Sequence, residues 1–278
     1  MKALGPFRLS LRNNGFLHLD GGAMFGTVPK VMWEKWMAPD GENRIPLATW
    51  SLLVDAGERR FMVDVGTGAH WPEKLRRIYA VESRPDAEDG FDPGSVTDVV
   101  ISHLHFDHAG GLFARKPGTE GDIELRFPKA KIYVQAAHLE NARHPNPHER
   151  MSFLRKTLTA LDRSNLVLTE GSEEIFPGIR VHRSDGHTRG LQWVEVRGGG
   201  TAVAFPSDMI PFSHHVALPY TMGYDINVEK LLAEKEDFLN RALAGDWTVV
   251  FEHDPDVAAA RLKRDDKGRI AVSSFVNL

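Results

Sequence analysis

The chain has 278 residues, 42% hydrophobic and 26% charged, with a formal net charge of −4. That is enough apolar chain for a sizeable core and too little net charge for an unfolded one. A pI near 6.4 gives no electrostatic ground for nucleic acid or an anionic membrane as partner, and the lack of cysteine excludes disulfides, thiolate metal sites and cysteine nucleophiles.

The start, MKALGPFRLSL, lacks the apolar run of a signal peptide, and no stretch approaches the ~18 apolar residues of a membrane span. A cytoplasmic location is expected. TWSLLVDAGERRFMVDVGTG, from Thr49 to Gly68, reads as two strands about a turn at Ala56, Gly57 and Glu58. The second strand ends at Asp64, before a glycine-rich turn. Pro72 to Val81 has helical spacing, with proline suited to the first turn. A polar loop, ESRPDAEDGFDPGS, leads to VTDVVIS (Val96 to Ser102), a short apolar run that predicts a buried strand. AKIYVQ predicts another strand, followed by a helix from Ala136 to Arg143 that HPNP ends. A further helix is expected from Glu149 to Asp162. LVLTE, IRVHRS, LQWVEVR and TAVAFPSD read as successive strands, the last breaking at Pro206 and Ser207. Asn227 to Ala244 predicts a strong helix capped by Asn227, with Glu229, Lys230, Glu234 and Lys235 on exposed faces. WTVVFEHD predicts a final buried strand. No repeat, low-complexity tract or linker divides the chain, so a single domain over residues 1–278 is expected. The pattern is α+β, without the strict βαβ alternation of a doubly wound sheet.

Of the 13 histidines, three crowd into ISHLHFDHAGGL, from Ile101 to Leu112. His103 and His105 are two apart in extended chain, so they point to one side. Asp107 and His108 come after the chain turns and face a second point nearby. Gly110 and Gly111 allow close backbone packing there. Imidazole and carboxylate suit zinc, manganese, iron or cobalt. A lone histidine is more often a satisfied core or surface group. Four candidate ligands at this spacing are harder to explain that way, because each buried ring nitrogen would need a partner. His187 in DGHTRG, Asp208 in FPSD and His253 in FEHD also fall where strands are expected to end. Five histidines and two aspartates suffice for two ions if one carboxylate bridges.

On these residues the chain resembles the metallo-β-lactamase superfamily. HLHFDH matches the family's H-x-H-x-D-H signature. DGHTRG, FPSD and FEHD follow in the family's order, and the upstream VDVGTG matches too. The resemblance runs from Leu47 to Asp254. It implies an αβ/βα four-layer sandwich, two sheets face to face with helices outside, and a site at one edge. Carried over residue by residue, it implies two divalent ions, zinc first, with manganese, iron or cobalt as alternatives. His103, His105 and His187 would hold one, and Asp107, His108 and His253 the other. Asp208 would bridge them. A hydroxide shared by the ions would attack a carbonyl or phosphoryl centre. Asp107 is the candidate catalytic carboxylate, orienting that nucleophile or protonating the leaving group. Asp64 is implied to support the ligands from behind; as a bare residue it reads equally well as a turn former.

LDGGAMFGTVPKVMWEKWM resembles the N-terminal segment of lactonase-like and organophosphate-hydrolase-like members, which lies over the metals. Residues 20–46 and the loop 209–225 are therefore expected to cover the site. Met24 and Phe25 would form an apolar pocket wall. Trp33 and Trp36 would lie near it, or pack the core or a subunit interface. His214, His215 and Tyr220 are candidates to contact substrate, against the plainer reading as exposed loop groups. Acyl-homoserine-lactone hydrolases of the superfamily often place a tyrosine three residues after the bridging aspartate. Pro211 stands there in this chain, which leaves Tyr220 or Tyr224 to substitute. The expected function is a dinuclear metal-dependent hydrolase acting on a lactone or related ester. The alternatives are a phosphotriesterase-like or thioester hydrolase or, from another class, a metal-binding module on the same scaffold. The expected partner is a small molecule with an apolar portion, without nucleic acid or membrane, and a homodimer is the candidate assembly.

Overall fold

Several strands in this sequence, such as TAVAF and TVV, are apolar at all but one position, which suits strands covered on both faces. The fold, a computed structural model that describes residues 1–116, 118–119 and 122–278, is built that way. β1 (Lys2–Leu4) and the long β2 (Phe7–Asp20) are antiparallel. β3 (Arg44–Asp55) begins five residues earlier than TWSLLVD suggests, and the expected turn leads to β4 (Arg60–Val63). β5 (Glu82–Ser83) pairs with β2, and β6 (Asp98–Val100) runs parallel to β4. β7 (Phe113–Arg115) and β8 (Ile123–Leu125) form a separate ribbon. β9 (Lys131–Gln135) and β10 (Asn165–Thr169) complete the first sheet, ordered β1-β2-β3-β4-β6-β9-β10. The second sheet pairs seven strands in chain order: β11 (Glu173–Phe176), β12 (Ile179–Ser184), β13 (Leu191–Gly198), β14 (Thr201–Phe205), β15 (Thr248–Val250), β16 (Ala259–Arg264) and β17 (Ile270–Phe275). β14 and β15 are parallel because the helix Val228–Ala244 crosses between them. WTVVFEHD is thus not the last strand; a polar hairpin follows it.

Alternation along each strand assigns side chains to layers. Val100, Val194, Val203 and Val250 point between the sheets and meet Phe7, Phe61 and Phe205 there. Their neighbours Val99, Trp193, Ala202 and Val249 point outward. Val99 and Ile132 lie under the helices Ala136–Arg143 and Arg155–Leu161, through Leu139 and Leu161. Trp193 and Val249 lie under Val228–Ala244, through Leu231, Phe238 and Leu239. The result is the expected order of helix, sheet, sheet, helix. Each fully buried side chain of this size contributes about 1.5–3 kcal/mol. A fourth cluster, with Met24, Phe25, Trp33, Leu47, Phe106, Phe212 and Met222, closes one edge of the sandwich.

Three local expectations are corrected. The helix at Pro72–Val81 is shorter, Glu73–Ile78, with Pro72 as its cap residue. The helix expected over Glu149–Asp162 is broken: a 3-10 turn at Arg150–Ser152 precedes Arg155–Leu161, and Phe153 and Leu154 between them are extended. That break turns Phe153 inward, where its ring lies 5.0 Å from His105. Helical spacing cannot signal such a choice, because it is decided by a pocket made elsewhere in the chain.

The third correction is Lys235, expected on an exposed face and fully buried instead. Its ammonium donates to the carbonyls of Ala217 (3.0 Å), Leu218 (3.3 Å) and Tyr220 (2.7 Å), so it anchors the loop before Met222. Burial pushes its pKa down to about 7. Lys235→Met keeps the stem and removes the donor, leaving three carbonyls short of partners. A loss of about 2–4 kcal/mol is expected, read as a fall in Tm of roughly 5–15 °C. An unchanged Tm would mean that water replaces the ammonium at no cost. Among the described residues no helix is long and apolar enough to cross a membrane.

Candidate metal centre

Strands of both sheets end at the same edge, and the turns after them carry the polar groups. Asp64 follows β4 in left-handed backbone (φ 52°), which aspartate tolerates better than most side chains. His103 and His105 follow β6, and the one-turn helix Phe106–Ala109 carries Asp107 and His108. His187 follows β12. Asp208 sits in the turn Ser207–Met209 and His253 three residues past β15, each just beyond the strand it was expected to close. The glycines after His108 let this turn sit directly on the one after β4. A Cβ on Gly110 would lie 2.2 Å from the Thr67 carbonyl oxygen, and one on Gly111 would lie 2.0 Å from that of Val65.

The seven predicted ligands converge. Ligand atoms of His103, His105, His187 and Asp208 lie within 4.8 Å of one another, as do those of Asp107, His108 and His253. His103 Nε2 and His105 Nδ1 approach to 3.0 Å, and His108 Nε2 and His253 Nε2 to 3.2 Å. Asp208 reaches both groups. One oxygen lies 3.2 Å from His187 Nε2 and 3.8 Å from His103 Nε2, and the other 3.0 Å from His253 Nε2. Asp107 stands 3.7 Å from His108 Nε2 and 3.8 Å from that of His253.

The outward nitrogens are held from behind. Asp64 accepts from the Ser102 backbone N–H (2.7 Å) and hydroxyl, and from His108 Nδ1 at 3.0 Å. Its role is therefore support of the site as well as turn formation. Glu252 lies 3.0 Å from the same His108 nitrogen. His187 Nδ1 meets Asp225 at 2.8 Å, His253 Nδ1 donates to the Ala48 carbonyl at 2.8 Å, and His103 Nδ1 lies 3.0 Å from the Ser102 hydroxyl. Of these supports only Asp64 was singled out in sequence. Glu252 was readable beside His253 in FEHD, and Asp225 after Tyr224. Glu149, 3.7 Å from His105 Nε2, gave no local signal because the broken helix brings it there.

Burial alone would discharge every ring. The Asp208 carboxylate outweighs it at His253, raising the pKa to about 9, and also raises His187. His103, buried between His108 and His105, is pushed well below its ordinary value. For Asp208 burial again opposes charge, and the rings of His108, His253 and His187 win, holding it well below the carboxylate range. Burial and the neighbouring Asp64 push Glu252 up to about 8. Carboxylates packed this densely among imidazoles form an environment suited to divalent cations.

The cluster floors a cavity of about 170 Å³ with an apolar wall of Leu19, Met24, Leu47, Phe106 and Met222, and with Tyr79, Tyr224 and Glu149 beside the ligands. Met24 lines this cavity. Phe25 is not on the wall; it is fully buried behind Met24, stacked on Trp33 and Phe212 at 5.8 Å each. His214 and Tyr220 are also absent from this wall. They line a second cavity, against β17 and the helix Val228–Ala244, with Trp36 stacked on His214 at 4.8 Å. His215 is buried and donates to the Met24 carbonyl at 3.0 Å, fixing the wall from behind. The loop after Asp208 turns its Met222, Tyr224 and Asp225 side toward the ligands and its His214 and Tyr220 side away.

Residues 44–116, which include His103 to His108, match the sequence model of the metallo-beta-lactamase superfamily. An N-acyl homoserine lactonase of Bacillus cereus is 27% identical over 165 residues, 54% of this chain and 58% of the relative. The match therefore spans little more than half of that curated relative. A probable metal-dependent hydrolase from Staphylococcus aureus superposes with a TM-score of 0.89 at 25% identity, over 100% of this chain and 99% of the other. AidC, a dizinc quorum-quenching lactonase solved with a product, superposes with a TM-score of 0.76 at 20% identity, over 99% and 97% of the two chains, and bears on the fold alone. Two sheets between helices, with the H-x-H-x-D-H turn and three later strand-end candidate ligands meeting at one edge, give the chain the metallo-β-lactamase fold, and its residues 44–116 are similar to that superfamily's sequence model.

Proposed function

We propose that this protein is a hydrolase that holds two divalent ions, zinc by preference, and opens lactones or related esters. One observation carries the reading: seven buried groups turn their inner nitrogens and oxygens on one another at the floor of an apolar-walled cavity. The His187 Nε2 and Asp208 Oδ1 atoms are buried without a hydrogen-bond partner. Orphaned polar atoms of this kind cost about 1–3 kcal/mol each, and facing lone pairs call for a cation between them. His103, His105 and His187 would hold one ion, Asp107, His108 and His253 the other, and Asp208 both.

When bound, such ions supply an acidified water and a Lewis acid for the ester carbonyl. The chain supplies the rest. Asp107, at the cavity floor, orients the attacking water and carries a proton on its carboxylate to the leaving alkoxide. Tyr224, rather than Tyr220, stands in the cavity to donate its hydroxyl to the substrate carbonyl. Burial raises its pKa to about 12, which keeps the phenol a donor at neutral pH. The cavity takes a small reacting ring, and Met24, Leu47 and Met222 receive an adjoining apolar chain that leaves past the exposed Met151.

The test is pH-indicator turnover on a lactone panel with protein loaded separately with zinc, manganese and cobalt, and His105→Ala as control. Ring opening that needs metal and is lost in the control is expected. Turnover on no lactone would sink the substrate class, and turnover equal with and without metal would sink the ion assignment.

A further inference from the structure

Each of the five rings at the centre has one nitrogen facing inward and one facing out. A neutral imidazole has one N–H and one lone pair, so an inward lone pair requires the proton outside. Four outer nitrogens have close acceptors: the Ser102 hydroxyl for His103, Asp64 and Glu252 for His108, Asp225 for His187 and the Ala48 carbonyl for His253. His105 differs. Its inward atom is Nδ1, facing His103 Nε2 at 3.0 Å, and its outer Nε2 is buried and unpartnered. Glu149 lies 3.7 Å beyond that nitrogen, longer than a formed hydrogen bond.

Glu149 itself is rigidly placed. One oxygen accepts from Asn141 (2.9 Å) and Asn146 (2.8 Å), and the other accepts from Thr188 (2.6 Å) and faces His105. Asn146 cannot flip, because its own oxygen accepts from the backbone N–H groups of His148 and Glu149. Three donors, all supplied from outside the ion site, thus aim a buried carboxylate at the one ring lacking an acceptor.

We propose that Glu149 is the positioning residue that keeps the His105 proton on Nε2 and so leaves Nδ1 free to bind an ion. Without it the proton moves inward, and His103 and His105 close into an N–H···N pair that occupies the ion's place. Glu149 also belongs to the segment that lines the cavity with His148 and Met151, so the wall that meets substrate also conditions ion affinity.

The inference rests on the two-ion reading above, and Glu149→Gln separates the two. Asn141 and Asn146 require an acceptor at one position, which leaves the glutamine NH2 facing His105, where it favours the wrong tautomer. Zinc affinities of wild type and variant are measured by chelator competition, with the melting temperature of the zinc-free protein as a structural control. One zinc is expected to bind about 10–100-fold more weakly in the variant, the other within threefold, with little change in the zinc-free melt. The His105 ring proton, located by nitrogen-15 NMR, should shift to Nδ1. Unchanged affinity for both ions, or a loss matched by an equal loss of zinc-free stability, overturns the proposal. Wild type that binds no zinc overturns the two-ion reading itself. If the variant does not fold, zinc-loaded wild type decides: a slowly exchanging Nε2 proton on His105 supports the role, and a proton on Nδ1, or one lost to fast exchange, rejects it.

Discussion

Asp208→Asn is expected to remove one of the two ions and nearly all turnover. The carboxylate faces four rings at 3.0 to 3.8 Å through its two oxygens, so it reaches both ligand groups at once. Asparagine is close in shape but neutral, and its NH2 would point a donor at ring nitrogens that must present lone pairs. Losing a metal's contribution means losing several kcal/mol of transition-state stabilisation, on the order of a thousandfold in rate or more. Metal content after dialysis and initial rates on the best lactone check this together. Two ions retained per chain would argue that Asp208 does not bridge, whatever the rate.

Gly111→Ala is expected to have the largest effect on stability. The added Cβ would lie 2.0 Å from the Val65 oxygen, a backbone atom that cannot swing aside, and Gly111 donates to Gly66 at 2.8 Å across the same contact. Relief requires the turn after β4 and the ligand-bearing turn to separate. A cost on the order of 4 kcal/mol or more follows, together with displacement of Asp64 from His108. Denaturant unfolding and zinc content would be read side by side. A variant as stable as wild type would mean that the two turns have slack, and the close packing would lose its claim to position His108.

Both effects trace to residues that stand out in the bare chain. Gly111 and Asp208 belong to short motifs, and a motif is legible because covalent spacing sets much of its geometry. His103 and His105 are near each other in any compact fold, since one residue separates them. The apolar runs ending at Ser102, Phe205 and Phe251 announced strands buried on both faces, and strand ends gather at a sheet edge. That is why the mixed α and β pattern and the seven candidate ligands could be read from residue order, while the four-layer sandwich was anticipated through the resemblance to the metallo-β-lactamase superfamily.

The pocket wall was less legible. Met24 and Phe25 are adjacent, yet one faces the cavity and the other packs behind it. Tyr220 and Tyr224 share a loop but line different cavities. Lys235 looked like an exposed helix residue and is a buried anchor, because the 217–220 loop presents three carbonyls there. Glu149 lies beside His105 at the head of a segment that is interrupted at Phe153 and Leu154, where the Phe153 ring also meets His105, and not in the single helix its spacing suggested. Sequence by itself determined what repeats along the chain or lies within a few residues: strand and helix periods, glycine at a close contact, and the ligand types. Tertiary structure alone decided which face of each irregular loop meets the site. That choice depends on packing between distant segments, and a loop without period carries no local record of its neighbours.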